Sequence, residues 1–312
     1  MIEIILRRIL ISAFVLLTVM VFCFLLLQLV PGDPAQVIAG PVAPPEVVAQ
    51  VRQSLGLDQP LLLQFLKYMS RLVVGDLGQS LISNRPVTAE LADAVGPTIE
   101  LMLISMVWSI PIGIALGTLG AARQGRVTDR LVMAFSVAGL SLPVFFVCLL
   151  LIQTVGVQMR ALPFVGRGGP VWTLDGLAHI ALPALALGVI FIGPVARITR
   201  SSVLEVMRLD HVRTARAKGL SGSRVLIRHV LRNALIPIVT LVGLQAGYLM
   251  GGAVVTETIF SWPGVGRLAV GAITSSDFTV AQGTIMIMAL GFLVINLIVD
   301  ILYATLDPRV QK

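Results

Sequence analysis

Charged and amide side chains set within long apolar runs are where chemistry is first to be sought in this chain. Gln28, Gln153, Gln245, Glu257, Asn296 and Asp300 occupy such positions. Ionisable groups at membrane depth commonly mark ion pathways or proton relays. Glu257 and Asp300 fall near the ends of their runs, where headgroups and water are close, which favours structural or interfacial roles. A proton-coupled pump would need a deeper acidic relay. His179, His211 and His229 are scattered along the chain and over both expected membrane sides, so neither a metal site nor a catalytic triad follows from them. Cys23 and Cys148 each lie inside an apolar run, and no disulfide or Cys/His ligand cluster is expected.

The densest cluster of charged groups is the basic segment 200–234, which holds Arg200, Arg208, Arg213, Arg216, Lys218, Arg224, Arg228 and Arg232. Within it, Asp210, His211, Val212, Arg213, Thr214, Ala215, Arg216, Ala217, Lys218 and Gly219 follow in order. They predict a short helix ended by glycine. Small residues at 214, 215 and 217, flanked by Arg and Lys, would let this helix dock closely into a partner's groove. The same composition also suits a positively charged topological anchor in contact with anionic lipid. Leu220-Ser-Gly-Ser-Arg224 is superficially similar to the nucleotide signature of transporter ATPases. The chain has no Gly-x-x-x-x-Gly-Lys-Ser/Thr loop to cradle phosphates, so nucleotide binding is not expected.

A second pattern is the run of glycines at Gly243, Gly247 and Gly251, with Gln245 between them. Glycine every fourth residue makes one helix face smooth enough for backbones to approach closely, which is how helices associate where lipid gives no hydrophobic drive. The stripe fits tight helix packing and also the wall of a solute path, and different parts of it can serve each. Gly113 and Gly117 repeat the pattern on a smaller scale.

The elements that carry these residues follow from composition. Of 312 residues, 56% are hydrophobic and 12% charged, about half the charged share of an ordinary soluble domain, roughly 25%. Apolar runs reach the roughly 20 residues that a spanning helix needs. The expected spans are about 9–30, 98–121, 131–155, 178–199, 235–257 and 280–304, giving an all-α polytopic membrane protein with six transmembrane helices in one domain. Arg7 and Arg8 before the first run mimic a signal peptide, but the run exceeds a signal core of about 7–15 residues, so it is expected to be retained.

Arg and Lys sort the connections. Arg123, Arg126 and Arg130 sit in the 122–130 loop, the basic 200–234 segment follows, and the tails add Arg7, Arg8, Arg309 and Lys312. Loops 156–177 and 258–279 hold only Arg160, Arg167 and Arg267. By the positive-inside rule both termini are expected in the cytoplasm and 200–234 is a cytoplasmic loop. Topology thus accounts for the net charge of +7, and no nucleic-acid partner is expected.

The first external loop, 31–97, is expected to face the periplasm and is too long for a simple link. Pro31-Gly-Asp-Pro34 ends the first span. Pro44-Pro45-Glu46 starts a polar helix running to about Ser54. After Pro60, Leu61, Leu62, Phe65, Leu66, Met69 and Leu72 recur at helical spacing, predicting an amphipathic helix against the bundle or the interface. Gly75-Asp-Leu-Gly78 breaks it.

An ordered series of short motifs covers nearly the whole chain. Arg7-Arg8, Leu29-Val-Pro-Gly-Asp-Pro34, Leu55-Gly-Leu-Asp-Gln-Pro60, Gly75-Asp-Leu-Gly78, Arg85-Pro-Val87 and Ser141-Leu-Pro143 are followed by Arg213-Thr-Ala-Arg-Ala-Lys-Gly219. His229-Val-Leu-Arg-Asn-Ala-Leu-Ile-Pro237, Ser261-Trp-Pro-Gly264, Asn296-Leu-Ile-Val-Asp300 and Leu306-Asp-Pro308 complete it. Together they resemble the first permease subunit of dipeptide and oligopeptide ABC importers, which implies the type I importer permease fold. Ile82-Ser-Asn-Arg-Pro-Val87 and Ser105-Met-Val-Trp108 look most like glutathione importers.

By this resemblance 213–219 corresponds to the coupling helix that sits in a cleft of the ATPase subunit. The general form has Glu-Ala-Ala with a Gly six residues after the Glu. Here Gly219 holds the glycine place, while Arg213 and Thr214 replace Glu and the first Ala, as in the peptide-importer variant. The resemblance implies a second homologous permease subunit, two ATPase subunits that bind ATP and Mg, and a periplasmic or lipid-anchored substrate-binding protein. It implies alternating access in the bacterial inner membrane, with no cofactor and no catalytic residue in this chain. A secondary transporter would often show inverted repeats and broken midplane helices, neither of which is evident. A membrane enzyme would need a convergent catalytic set, and none is visible.

Overall fold

A computed structural model describes residues 2–29, 34–40, 43–54 and 56–306. Among them the regular structure is helical, apart from an isolated antiparallel bridge between Gln79 and Pro86. The Pro31-Gly-Asp breaker, Leu55, the Asp307-Pro308 motif and the tail residues Arg309 and Lys312 lie outside the described residues.

The chain opens with α1 (Ile2–Leu29), a long apolar helix. Three shorter helices follow, α2 (Pro34–Ala39), α3 (Pro45–Ser54) and α4 (Leu61–Val73). The α3 and α4 boundaries lie where Pro45 and Pro60 put them, since proline is suited to a helix start and unsuited to its interior. No residue of α4 is buried. Its Phe65 and Tyr68 pack on Phe24 of α1, with ring centroids 5.3 and 5.9 Å apart. Gly75 and Gly78 take φ of 78° and 81°, a region open to glycine, and the chain turns there toward α5.

α5 (Val87–Ala122) begins well before the expected 98 and absorbs Pro97 and Pro111. The span expected over 131–155 is instead broken: α6 (Val127–Ser141) and α7 (Val144–Leu151), the latter continued by a π-helical turn Ile152–Gln158, meet at 99°. The physical cause is Leu142-Pro143. Proline offers no N–H, and the residue before it is driven to extended backbone, here ψ 123° at Leu142. α8 (Leu174–Val206) is capped by the Thr173 hydroxyl, which accepts from the Gly176 N–H at 3.0 Å. α9 (Asp210–Ala217), the single turn α10 (Gly222–Arg224) and a second π-helical turn Val225–Leu231 lead into α11 (Arg232–Ile259). α12 (Val265–Thr274) and α13 (Phe278–Leu306) close the chain.

Five of these helices are long and apolar enough to cross a membrane, and the bent α6–α7 pair counted as one crossing makes six. In α8 61% of the apolar window is buried, against 11% in α1 and 6% in α13. α8 is therefore the central helix, and α1 and α13 turn apolar surface outward. The core joins Leu101 and Met102 of α5, Ile180, Ala184, Leu187, Phe191 and Val195 of α8, Leu249 and Ala253 of α11, and Trp262. Glycines set the spacing between α5 and α8. A Cβ at position 113 would lie 2.8 Å from Val195, and one at position 117 would lie 2.4 Å from the Ala196 carbonyl oxygen. The backbones approach closer than any larger residue permits.

Candidate functional site

The functional candidates gather at the two ends of the bundle. At one end α8 runs past Arg200 to Val206 and, after 207–209, the short α9 begins. Its first turn holds Asp210, favourable beside the unpaired N–H groups there. Asp210 pairs loosely with Arg213 at 3.6 Å, and the Thr214 hydroxyl donates to the Asp210 carbonyl at 2.9 Å. The helix closes with the Gly219 N–H on the Arg216 carbonyl at 2.9 Å, and Gly219 takes φ 77°. That is the glycine stop expected from sequence.

His211, Arg213, Thr214, Arg216, Ala217 and Lys218 are exposed, forming a basic face with small residues at 214 and 217. Ala215 departs from expectation. It is 5% exposed and packs, with Val212, against Val203 and Val206 of α8 and against Val225 and Val230. Residues 212 and 215 are three apart on one helix face, and that face is held by the chain's own core. The face of α9 left open is thus Arg213, Thr214, Arg216 and Ala217, with Ala215 beneath it. His211 Nε2 lies 3.4 Å from Asn233 Nδ2 at the start of α11.

Beside this end an ion pair joins α6 to α8. Asp129 is 4% exposed, and both its oxygens face the Arg200 guanidinium: Nε donates to Oδ1, and Nη2 to Oδ2 at 2.8 Å. The Gly125 N–H also donates to Oδ2 at 2.9 Å. In the sequence Arg200 reads only as one more positive charge, and Asp129 does not stand out. An acid in the first turn of a helix beside Arg126 and Arg130 was the available signal.

The glycine stripe on α11 divides. A Cβ at position 243 would meet Val299 of α13 at 2.2 Å, and one at position 247 would meet Phe292 at 2.6 Å, whereas nothing lies within 4 Å at Gly251. Gly243 and Gly247 are packing positions against α13. Gly251 is exposed, and Gln245 is half-buried.

The opposite end holds a polar knot. Glu257, two residues before the end of α11, is fully buried. Its carboxylate accepts from the Thr98 hydroxyl at 2.6 Å, from the Gly266 N–H at 2.7 Å and from the Arg267 N–H at 3.1 Å. The last two belong to the first turn of α12, whose unpaired donors suit an anion. Trp262 Nε1–H donates to the Pro97 carbonyl at 2.9 Å, and Arg167 forks onto Glu100 at 2.8 and 3.0 Å. One stretch of α5, 97–100, therefore ties down both the 159–173 and the 260–266 segments. Nearby, a cleft of about 550 Å³ is lined by Arg85, Glu90, Asp93, Arg267, Asp277 and Ser275 among others. Asp300 pairs with Arg8 at 3.2 Å, joining α13 to α1. Among the described residues no group of His, Cys, Asp and Glu converges on a metal-holding arrangement.

The chain is similar along its whole length to known membrane transport proteins. The family model described as binding-protein-dependent transport system inner membrane component matches residues 109–312, and its N-terminal companion matches residues 1–102. The glutathione transport system permease protein GsiC of Salmonella paratyphi A is 44% identical over 311 residues, covering 100% of this chain and 99% of the relative. GsiC of Escherichia coli strain K12 is 46% identical over 296 residues, covering 95% and 94%. Among solved structures, an inward-facing form of the MetNI methionine ABC transporter aligns with a TM-score of 0.59 at 17% identity, over 70% of this chain and 96% of that one. An amino acid ABC transporter with histidines aligns with a TM-score of 0.51 at 15% identity, over 70% and 94%. At such identities these two establish the fold alone.

Proposed function

The chain belongs to the binding-protein-dependent transport system inner membrane components, and from that membership we propose that it is the membrane-spanning permease subunit of an ATP-binding-cassette importer for glutathione or a similar short peptide. The observation that carries the coupling role is the exposed basic face of α9, braced from beneath by Val212 and Ala215 and closed by Gly219. A helix fixed on its inner side and open on its outer side transmits a push from a partner into the bundle. Full-length similarity to proteins named as glutathione permeases supports the solute class.

In this reading ATP and Mg are held by two separate ATPase subunits, and this chain is not itself an enzyme. A second homologous permease subunit completes the pathway, and the outward apolar surfaces of α1 and α13 are available to it and to lipid. A periplasmic or lipid-anchored binding protein delivers solute to the end carrying the Glu257 knot. ATP binding closes the ATPases, moves the coupling helices and reopens the bundle toward the binding protein. The chain lies in the inner membrane with both termini and the α9 end in the cytoplasm, as the Arg and Lys distribution directs.

The test is uptake into proteoliposomes by the assembled transporter with its binding protein. ATP-dependent glutathione uptake is expected. Uptake that follows an ion gradient and ignores ATP would replace this reading with a secondary transporter.

A further inference from the structure

We propose that the Asp129–Arg200 pair is a latch through which movement of α9 is carried into the α6–α7 half of the bundle, which makes both side chains positioning residues for transport. This rests on the coupling role assigned to α9 above. Three observations carry it.

The first is stiffness. Two parallel N–H to oxygen contacts between a guanidinium and a carboxylate fix angle as well as distance, which a single-point contact does not. The Gly125 N–H on Oδ2 further holds the carboxylate in place.

The second is location. Arg200 lies on α8 just before Val203 and Val206, which share one buried apolar cluster with Val212 and Ala215 of α9 and with Val225 and Val230 of the turn that follows. A displacement of α9 therefore bears on the stretch of α8 that also carries the latch. α5 lies alongside the pair: a Cβ at Gly120 would stand at ordinary contact distance from Asp129 Oδ1, 3.4 Å, and from Arg200 Cδ, 3.6 Å.

The third is what lies beyond. α6 stays tight on α8 above the latch, since a Cβ at Gly193 would fall 2.6 Å from the Ser136 carbonyl oxygen. It then reaches the 99° break before α7. α6, held to α8 at both the ion pair and Ser136, leads through the Leu142-Pro143 bend into α7, whose Val147 and Cys148 share a buried cluster with Leu182 and Ala186 of α8, so a tilt of α8 at the latch is carried into both helices. An ion pair with one partner buried and the other, Arg200, 23% exposed is a poor source of net stability, because an apolar pair of similar volume often serves as well. What the charged pair adds here is defined geometry.

That contrast supplies the experiment. The Asp129→Leu/Arg200→Met double variant removes both charges together, so it leaves neither charge unpaired. Arg200→Lys keeps the charge and loses the fork. In the assembled transporter both are expected to fold with near wild-type thermal midpoints and to lose solute uptake per ATP hydrolysed by about tenfold, the scale of a typical coupling energy. In parallel, spin labels at Ala134→Cys on α6 and Ser223→Cys beyond α9 in the full-length chain should give a narrow distance distribution. The double variant should broaden it. Uptake per ATP and a distance distribution both unchanged in the variants would overturn the latch. A lowered thermal midpoint with uptake per ATP intact would reduce the pair to a folding contact. The distance measurement needs neither solute nor ATPase. Failure of the wild-type assembly to import glutathione would therefore count against the proposed function alone, and the labels would still decide the latch.

Discussion

The hydroxyl of Thr98 donates to the carboxylate of Glu257 across 2.6 Å, and its oxygen in turn accepts from the Val265 N–H at 2.9 Å. One side chain on α5 thereby bridges the end of α11 and the start of α12, segments separated from it by more than 150 residues of chain. Glu257 has no exposure to water, so its carboxyl group depends on these donors and on the open first turn of α12 for its hydrogen bonds.

Loss of this knot should cost stability in a graded way. Thr98→Val removes one donor and one acceptor, with an expected loss of about 1–3 kcal/mol from the buried partners left unpaired. Glu257→Ala strands the Gly266 and Arg267 N–H groups as well and should be the worse of the two. Gly264→Ala should also destabilise, although its backbone is ordinary extended chain, because a Cβ there would lie 2.2 Å from the Glu257 carboxyl. Thermal unfolding of detergent-solubilised protein, followed by size exclusion, checks the order. Equal midpoints for Thr98→Val and wild type would show that the hydroxyl is dispensable.

The glycine stripe gives a prediction that depends on which neighbour can yield. Gly243 faces Val299, a β-branched side chain with little rotamer freedom, at 2.2 Å. Gly247 faces the ring of Phe292, which is 43% exposed and can swing away. Gly243→Ala is therefore expected to cost about 1–3 kcal/mol by overpacking, Gly247→Ala less, and Gly251→Ala nothing measurable in stability. Adding Phe292→Ala should relieve Gly247→Ala. Thermal midpoints that fail to separate positions 243 and 251 would mean that α11 and α13 are not packed through this stripe.

Orientation is tested by labelling. Gln50→Cys on α3 and Gly222→Cys on α10 are both exposed substitutions at opposite ends of the expected topology. In intact cells a membrane-impermeant maleimide should modify position 50 and spare position 222. Cys23 and Cys148 are buried and should contribute little background. Modification at 222 from outside would invert the assignment of the α9 end to the cytoplasm.

Much of the fold was legible because lipid imposes long apolar runs and proline and glycine mark their ends. Pro45, Pro60 and Gly219 set boundaries where the chain places them. What escaped was set by contacts far apart in sequence. Hydropathy cannot see that Leu142-Pro143 bends one run into two helices, since both halves are equally apolar. It cannot see that Glu257 is buried, because burial there depends on Thr98 and the start of α12. The small size of Ala215 fits a partner's groove, but it equally suits a residue packed in the chain's own apolar cluster. Only the position of Val203 and Val206 decides between the two.

The burial of Ala215 decides which substitutions test the coupling role proposed for α9. Ala215→Trp would drive an indole into the chain's own core, so its failure would say nothing about a partner. Ala217, exposed on the outer face, is the informative position. Ala217→Trp adds bulk without charge and touches no core residue. Thermal stability of the permease should be unchanged, while ATPase co-purification or solute-stimulated ATP hydrolysis should fall about tenfold or more, as when a bulky side chain is forced into a close-packed hot spot. Gly219 gives a second, independent handle. Nothing lies within 4 Å of a Cβ there, yet φ is 77°, so the penalty on Gly219→Val is conformational, while Gly219→Asn should be tolerated better because Asn visits this region readily. A Lys218→Arg control keeps the charge and should be nearly silent. If Ala217→Trp co-purifies and couples like wild type, the outer face of α9 meets no partner. The segment would then be a topological anchor, and the ATPase contact would lie elsewhere on this chain.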